Sequence, residues 1–272
     1  TSHPDIDLVT MTGSVPTGRK IMTAAAANLV PVSLELGGKA PLIVMEDADL
    51  DLAVASAVTS RFMNCGQVCI CNERMLVHEA VYDAFVERFI AATEALNIGD
   101  PMLESTDIGP KVSALELEKV ERITAAAIAE GARPLLQGGR PETAPVAGGN
   151  WLLPTVLGDV TPHMAIMKDE IFGPVVPVMR IRSFEEAMQI TNESRYGLSA
   201  YLFTNDFSRI MRAVQDVRFG EIYVNRIGPE ALQGYHTGYR NSGPGGDDGL
   251  HGLEAYLRKK TVYANHSGKS PV

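Results

Sequence analysis

From residue 39 to about 225, short apolar runs and amphipathic stretches of helical period follow one another almost without pause, which leaves this chain few folds. "PLIVME" (41–46), "RMLVH" (74–78), "RPLLQ" (133–137), "VVPVMRI" (175–181), "LSAYLFT" (198–204) and "GEIYVN" (220–225) have the length and composition of strands. Helical stretches at 47–63, 80–96, 113–132, 183–194 and 207–217 stand between them. Val81, Phe85, Val86, Phe89 and Ile90 make one apolar face. Asp47 or Asp49 suits an N-cap, Gly131 a C-terminal stop, and Ser183 with Glu186 a capping box. Strands alternating with such helices predict an α/β fold, a doubly wound sheet covered on both faces. Ahead of it, "IDLVTMTG" (6–13) reads as a short, largely buried strand, 19–29 as a helix and "PVSLEL" (31–36) as a second strand. Residues 138–150 read as a Gly/Pro-rich surface loop, 228–252 as a glycine-rich stretch of little periodicity, and "RKKTVYAN" (258–265) as a last strand.

Composition excludes several classes of function. The net charge of −9 over 272 residues argues against nucleic acid or an anionic membrane as partner. No apolar run reaches the roughly 18 residues of a membrane span, and no leader of the secretory kind is visible. Three cysteines, bunched together, suit a reducing cytoplasm better than a disulfide framework. The chain begins with Thr1 and falls almost at once into a strand-like run, so it reads as a piece of something longer.

All three cysteines lie in "FMNCGQVCICNER" (62–74). Cys65, Cys69 and Cys71 lack the paired spacing of a zinc site, and no second pair follows, so no metal is expected. The C-x-x-C spacing of a redox pair is absent too. Two readings stay open: buried structural sulfur, or a nucleophilic thiol where a helix ends near Gly66. A nucleophile needs a base or a field that favours thiolate. Glu35, where a strand stops ahead of Gly37 and Gly38, is a candidate base, since reacting groups gather at strand ends in α/β folds.

"LELGGKAP" (34–41), "FMNCGQVC" (62–69) and "EIFGPV" (170–175), in that order, resemble the signature stretches of the NAD(P)-dependent aldehyde dehydrogenases. "MTGS" with Gly18 following resembles the family's cofactor-phosphate loop, and "NSGPGG" (241–246) its C-terminal glycine-rich stretch. The tail from Glu230 is most similar to the lactaldehyde/glycolaldehyde dehydrogenase branch. The resemblance implies Cys69 as the catalytic thiol, passing through a thiohemiacetal and a thioester, and Glu35 as general base. It implies Glu170 on the nicotinamide ribose with Phe172 beside the ring, and Gly13, Ser14 and Gly18 beside the pyrophosphate. Gly37 would lie next to the nicotinamide, and Asn64 and Gln67 would shape the turn. Glu230 and His236 would hydrogen-bond a substrate hydroxyl, with Ile70 an apolar neighbour of the nucleophile. Cys65 and Cys71 are expected to pack as bystanders.

The resemblance further implies oxidation of a short 2-hydroxyaldehyde to its acid with NAD, NADP not being excluded, in a cytoplasmic homo-oligomer. It divides the chain into the tail end of a Rossmann-type NAD-binding domain (1–34), a catalytic domain (35–227) and a glycine-rich segment with an oligomerisation arm (228–272). An N-terminal part with a second oxyanion donor would precede it, so the isolated chain is expected to have at most residual dehydrogenase activity. A truncated, inactive or esterase-only fragment, or a dehydrogenase for another aliphatic aldehyde or semialdehyde, is the alternative.

Overall fold

Seven strands lie side by side in the computed structural model, which describes residues 1–266 and 268. In chain order the elements are β1 (Val9–Thr12), α1 (Val15–Ala26), β2 (Val32–Glu35), β3 (Ala40–Val44), α2 (Leu50–Phe62), β4 (Asn72–His78), α3 (Glu79–Glu94) and α4 (Ala114–Ala129). There follow β5 (Arg133–Leu136), β6 (Thr155–Gly158), α5 (Ala165–Lys168), β7 (Val175–Ile181), α6 (Phe184–Asn192), β8 (Ser199–Phe203), α7 (Phe207–Asp216) and β9 (Glu221–Val224). The tail adds β10 (His236–Thr237), β11 (Gly246–Asp247) and α8 (Gly249–Ala255). The main sheet runs in the order β5-β6-β7-β4-β3-β8-β9, parallel throughout except that β5 is antiparallel to β6.

Both faces of that sheet are covered, which is the α/β expectation realised. Alternate residues of one strand go to opposite faces: Ile43 belongs to one apolar cluster with Leu117, Val120 and Phe184, while Leu42 and Val44 belong to the other with Phe62, Phe85 and Phe89. The central strands β3 and β8 are buried at every position, as a parallel sheet between helix layers requires. Helix starts follow local capping chemistry. Asp49, rather than Asp47, caps α2 by accepting from Leu52 N, and Ser183 caps α6 while Glu186 accepts from the Arg182 N–H.

Three expectations need correction. β1 is only half buried, alternating between partly buried and exposed residues, because among the described residues β2 is the one strand it pairs with. The first helix starts earlier than its periodicity suggested: Ser14 caps it and Pro16 occupies its first turn, so "SVPTG" is a helix N-terminus rather than a loop. Residues 258–265 form no strand; the segment is exposed throughout. An extended run becomes a strand only where a neighbour takes its N–H and C=O groups, and no described strand pairs with it. The tail of the 228–272 segment, residues 267 and 269–272, lies outside the described residues.

Candidate active site

Cys69 stands just past a sharp reversal of the chain. α2 ends at Phe62, and Asn64, Cys65 and Gly66 follow with φ of 49°, 58° and 70°. Three successive residues in the left-handed region cost energy that L side chains rarely bear, and the surroundings supply the compensation. Arg61 donates to Gly66 O at 2.9 Å, and Asn64 and Gln67 exchange side-chain to backbone hydrogen bonds at 3.2 and 3.0 Å. Gln67 also accepts from Val112 N at 2.9 Å. Asn64 and Gln67 thus shape the turn. Gly66 is required there: a Cβ would lie 2.4 Å from Gly173 O. Cys65 and Cys71 are buried, with burial pushing both thiols up to about 11, whereas Cys69 is partly exposed.

Glu35, the last residue of β2, lines the same cavity as Cys69, a space of about 370 Å³ that also touches Gly13, Ser14, Gly37, Glu170 and Phe172. Both Glu35 carboxylate oxygens are buried without a hydrogen-bond partner. Oε2 lies 3.4 Å from His236 Nε2, close enough to feel its charge but not aligned to accept its proton. Burial pushes the Glu35 carboxyl up to about 7, against the lowering effect of His236. A carboxylate with that affinity for a proton and no partner is suited to act as a base near neutrality.

Glu170 also faces the cavity, for a different reason. It accepts from Gly38 N at 2.7 Å, and a Cβ on Gly37 would lie 2.4 Å from its Oε2. Burial and the nearby Glu73 raise its carboxyl to about 7 although Gly38 N–H opposes them. Phe172 has φ of 54°. Its carbonyl takes a short hydrogen bond from Lys111, whose Nζ lies 5.7 Å from the Phe172 ring centroid. Gly13 N donates to Glu35 O at 2.9 Å, which ties the "MTGS" stretch to the end of β2. Gly18 is not brought into this cavity. It sits buried within α1, where a Cβ would meet Leu36 Cδ1 at 2.7 Å, so its role is close packing of helix on strand.

On the other side of Cys69 and Glu35 lies an ionic cluster. His236 Nδ1 is 3.0 Å from Glu221 Oε1 and 4.0 Å from Glu230 Oε1. A hydrogen bond to Cys69, then one to Glu221, hold the imidazole proton well above its ordinary range, at about 11. One donor atom each of Glu221, Glu230 and His236 fall within 4.8 Å of one another; with Nδ1 already engaged by Glu221, the group is an ion pair with a neighbouring acid. Ile70 is buried beside it, its Cδ1 2.6 Å from where a Cβ on Gly228 would stand.

Sequence reasoning missed the residues beneath the site. Glu73 is buried in β4 and accepts from Lys39 Nζ at 2.9 Å, Arg61 at 3.1 Å, Ile171 N at 2.7 Å and Phe172 N at 3.0 Å. It therefore fixes the backbone that carries Glu170 and Phe172. Burial alone would raise its carboxyl, but the two cations and the backbone donors bring it down to about 2. Lys39 gains less: burial lowers it to about 8 despite Glu73. The available signal was charge inside otherwise apolar strand runs, "GGKAP" and "NERMLV", since such residues are almost never fully buried unless paired. Glu221 was missed because one glutamate at a strand start carries no signal by itself.

Comparison with known proteins gives the family. The chain is 48% identical over 266 residues to a 3,6-anhydro-alpha-L-galactose dehydrogenase of Streptomyces coelicolor, covering 98% of this chain and 54% of that protein. The crystal structure of lactaldehyde dehydrogenase from Escherichia coli superposes with a TM-score of 0.92 at 47% identity, over 97% of this chain and 55% of that one. A betaine aldehyde dehydrogenase of Staphylococcus aureus, solved in complex with NAD+, gives a TM-score of 0.92 at 34% identity, over 99% of this chain and 55% of that one. The chain thus spans about half the length of the relatives it matches. The model of the aldehyde dehydrogenase family matches residues 1–262, and the chain belongs to that family.

Proposed function

We propose that this chain carries the catalytic part of an NAD(P)-dependent aldehyde dehydrogenase that oxidises a short 2-hydroxyaldehyde, such as lactaldehyde or glycolaldehyde, to its acid. The observation that supports this best is the shared cavity of a partly exposed thiol, Cys69, and a buried, unpartnered carboxylate, Glu35. Cys69 Sγ adds to the aldehyde carbon, giving a thiohemiacetal, and the Cys69 backbone N–H would be one donor to the oxyanion. Bound NAD(P)+ would supply the acceptor for the hydride of the thiohemiacetal, so that a thioester would remain on Cys69. Glu35 then takes a proton from the water whose oxygen adds to the thioester carbon, and the acid departs as the sulfur is released.

The residues present fit the dinucleotide. Glu170 is a half-buried carboxylate at the cavity wall, Gly37 leaves room that a Cβ would fill, and Gly13 and Ser14 also line the cavity, with Ser14 capping α1. Glu170 would hold the ribose, Phe172 would pack against the nicotinamide, and the α1 N-terminus would face the pyrophosphate. Glu230 and His236 offer hydrogen bonds to a substrate hydroxyl, while Ile70 supplies an apolar wall. Polar groups built to hold a hydroxyl discriminate strongly against an analogue that lacks it. The thiol must stay reduced, which suits the cytoplasm. Exposed Leu250, Leu253, Leu257, Val262 and Tyr263 suit a homo-oligomeric partner.

The test is NADH formation with glycolaldehyde, lactaldehyde and propanal, with Cys69→Ala as control. The hydroxylated substrates should give kcat/KM at least about tenfold above propanal, and Cys69→Ala should be inactive. Equal rates for propanal overturn the substrate class; turnover by Cys69→Ala overturns the mechanism.

A further inference from the structure

The loop ahead of α4 touches two walls of the active-site cavity, Gln67 and Phe172, which both line it with Cys69. Gln67 Nε2 donates to Pro110 O at 3.4 Å, and Gln67 Oε1 accepts from Val112 N at 2.9 Å. Between those two residues stands Lys111, 2% exposed, whose Nζ donates to Phe172 O and lies 5.7 Å from the ring centroid. Asn150 fixes the Lys111 backbone on both sides: Lys111 N donates to Asn150 O at 2.9 Å, and Asn150 Nδ2 donates to Lys111 O at 3.4 Å. A buried ammonium is costly without a carboxylate beside it. Glu116, the acid in the first turn of α4, pairs with Lys119 at 3.5 Å instead, and among the described residues the acceptor of Lys111 Nζ is Phe172 O. Phe172 has φ of 54°, an outlying conformation for a bulky residue. Its N–H goes to Glu73 Oε1 at 3.0 Å and its C=O to Lys111, so two buried charges hold its backbone from opposite ends.

We propose that Lys111 is a positioning residue: it clamps Phe172 in this left-handed conformation and so sets the aromatic ring where a bound nicotinamide would meet it. The clamp rests on the reading of the cavity as a dinucleotide site and adds the residue that shapes its aromatic wall. Without Lys111, Glu73 still holds the Phe172 N–H, but the Phe172 carbonyl loses its partner. A buried carbonyl left unpaired favours a rearrangement that finds it another donor, and the ring moves with the backbone. The nucleophile turn keeps its own supports, Arg61 on Gly66 O and the exchange between Asn64 and Gln67. Loss of Lys111 therefore acts on the cofactor side of the cavity and spares the sulfur.

Amide hydrogen exchange read by mass spectrometry tests the clamp without NAD or aldehyde. Lys111→Met keeps the length of the side chain and removes its charge and donors. Peptides covering 170–174 should then exchange about tenfold faster, while those covering β3 stay unchanged. NADH titration, read by cofactor fluorescence, should show Kd raised about tenfold in Lys111→Met and at least as much in Phe172→Ala. The double variant should bind no worse than Phe172→Ala alone, since both changes act through one contact. Alkylation of Cys69 by iodoacetamide should keep its unsubstituted rate in all three. Far-ultraviolet circular dichroism checks that each variant folds, and Lys111→Gln repeats the test if Lys111→Met does not. Unchanged exchange at 170–174 overturns the clamp. Additive losses in the double variant, or slowed alkylation, make Lys111 a general support of the fold and overturn its positioning role. If the unsubstituted chain binds no NADH while exchange still depends on Lys111, the hold on Phe172 stands and the dinucleotide reading falls.

Discussion

Replacing Glu73 by glutamine tests whether the buried ions under the active site hold it together. Glu73 is 3% exposed and its two cationic partners, Lys39 and Arg61, are fully buried. A carboxyl held at about 2 against an ordinary 4.5 corresponds to about 3 kcal/mol in favour of the charged form, at roughly 1.36 kcal/mol per pH unit. Glutamine keeps the shape and removes the charge, so Lys39 and Arg61 face each other uncompensated. Breaking a buried pair in this way costs about 3–5 kcal/mol, a large share of a typical total of about 5–15 kcal/mol. Urea unfolding should show a loss of about 3 kcal/mol. The depressed carboxyl also sets the acid limb: its contribution is full above about pH 4.5 and is lost as pH falls through about 2. A loss below about 1 kcal/mol would refute the reasoning, because it would mean that water or rearrangement already screens these charges.

Other outcomes follow from the same geometry. Glu35→Gln should slow release of the acyl group by at least about 100-fold while leaving alkylation of Cys69 largely intact; rapid-quench kinetics separate the two steps. In the unsubstituted enzyme the acyl-release rate should fall as pH drops through about 7, where Glu35 gains its proton; a flat profile there would remove Glu35 as base. Gly37→Ala puts a Cβ 2.4 Å from Glu170 Oε2, and should raise KM for NAD about tenfold or more through loss of the ribose contact. Gly220→Ala puts a Cβ 1.7 Å from Thr237 O, a backbone atom that cannot swing aside. It should cost about 1–3 kcal/mol in unfolding experiments and push β10, with His236, away from Glu221.

How much was legible in the sequence depended on whether the signal was local. Strand and helix succession came through because period and length are written in consecutive residues, as at Phe85, Val86 and Phe89, which all point into one cluster. Cys69 and Glu35 were legible as candidates because a strand end and a helix end each have their own punctuation. Their sharing of one cavity was legible only through resemblance, since nothing in spacing measures a distance across the fold. Gly18 was placed by resemblance in the cofactor loop but packs on Leu36, as a glycine's purpose depends on what stands opposite it. The 258–265 run read as a strand because residue type suited one, yet a strand also requires a partner edge. Glu73 and Glu221 went unseen for a related reason: each is an ordinary glutamate until its partners, 34 residues back at Lys39 and 15 residues on at His236, are known.

Glu35 and Glu170 show why the partners matter more than the number. Burial brings both carboxyls to about 7, and both line one cavity. Proton affinity alone would make either a base. Glu170, however, already accepts from Gly38 N–H, and to take up a proton it must give up a 2.7 Å hydrogen bond that favours its charged form. Glu35 has no hydrogen bond to lose, and the imidazole beside it steadies the charge it carries before reaction. The first arrangement suits holding a ligand hydroxyl, the second suits taking a proton from water. Two carboxyls that burial brings to about the same proton affinity thus stand in different surroundings, set by one backbone amide and one histidine.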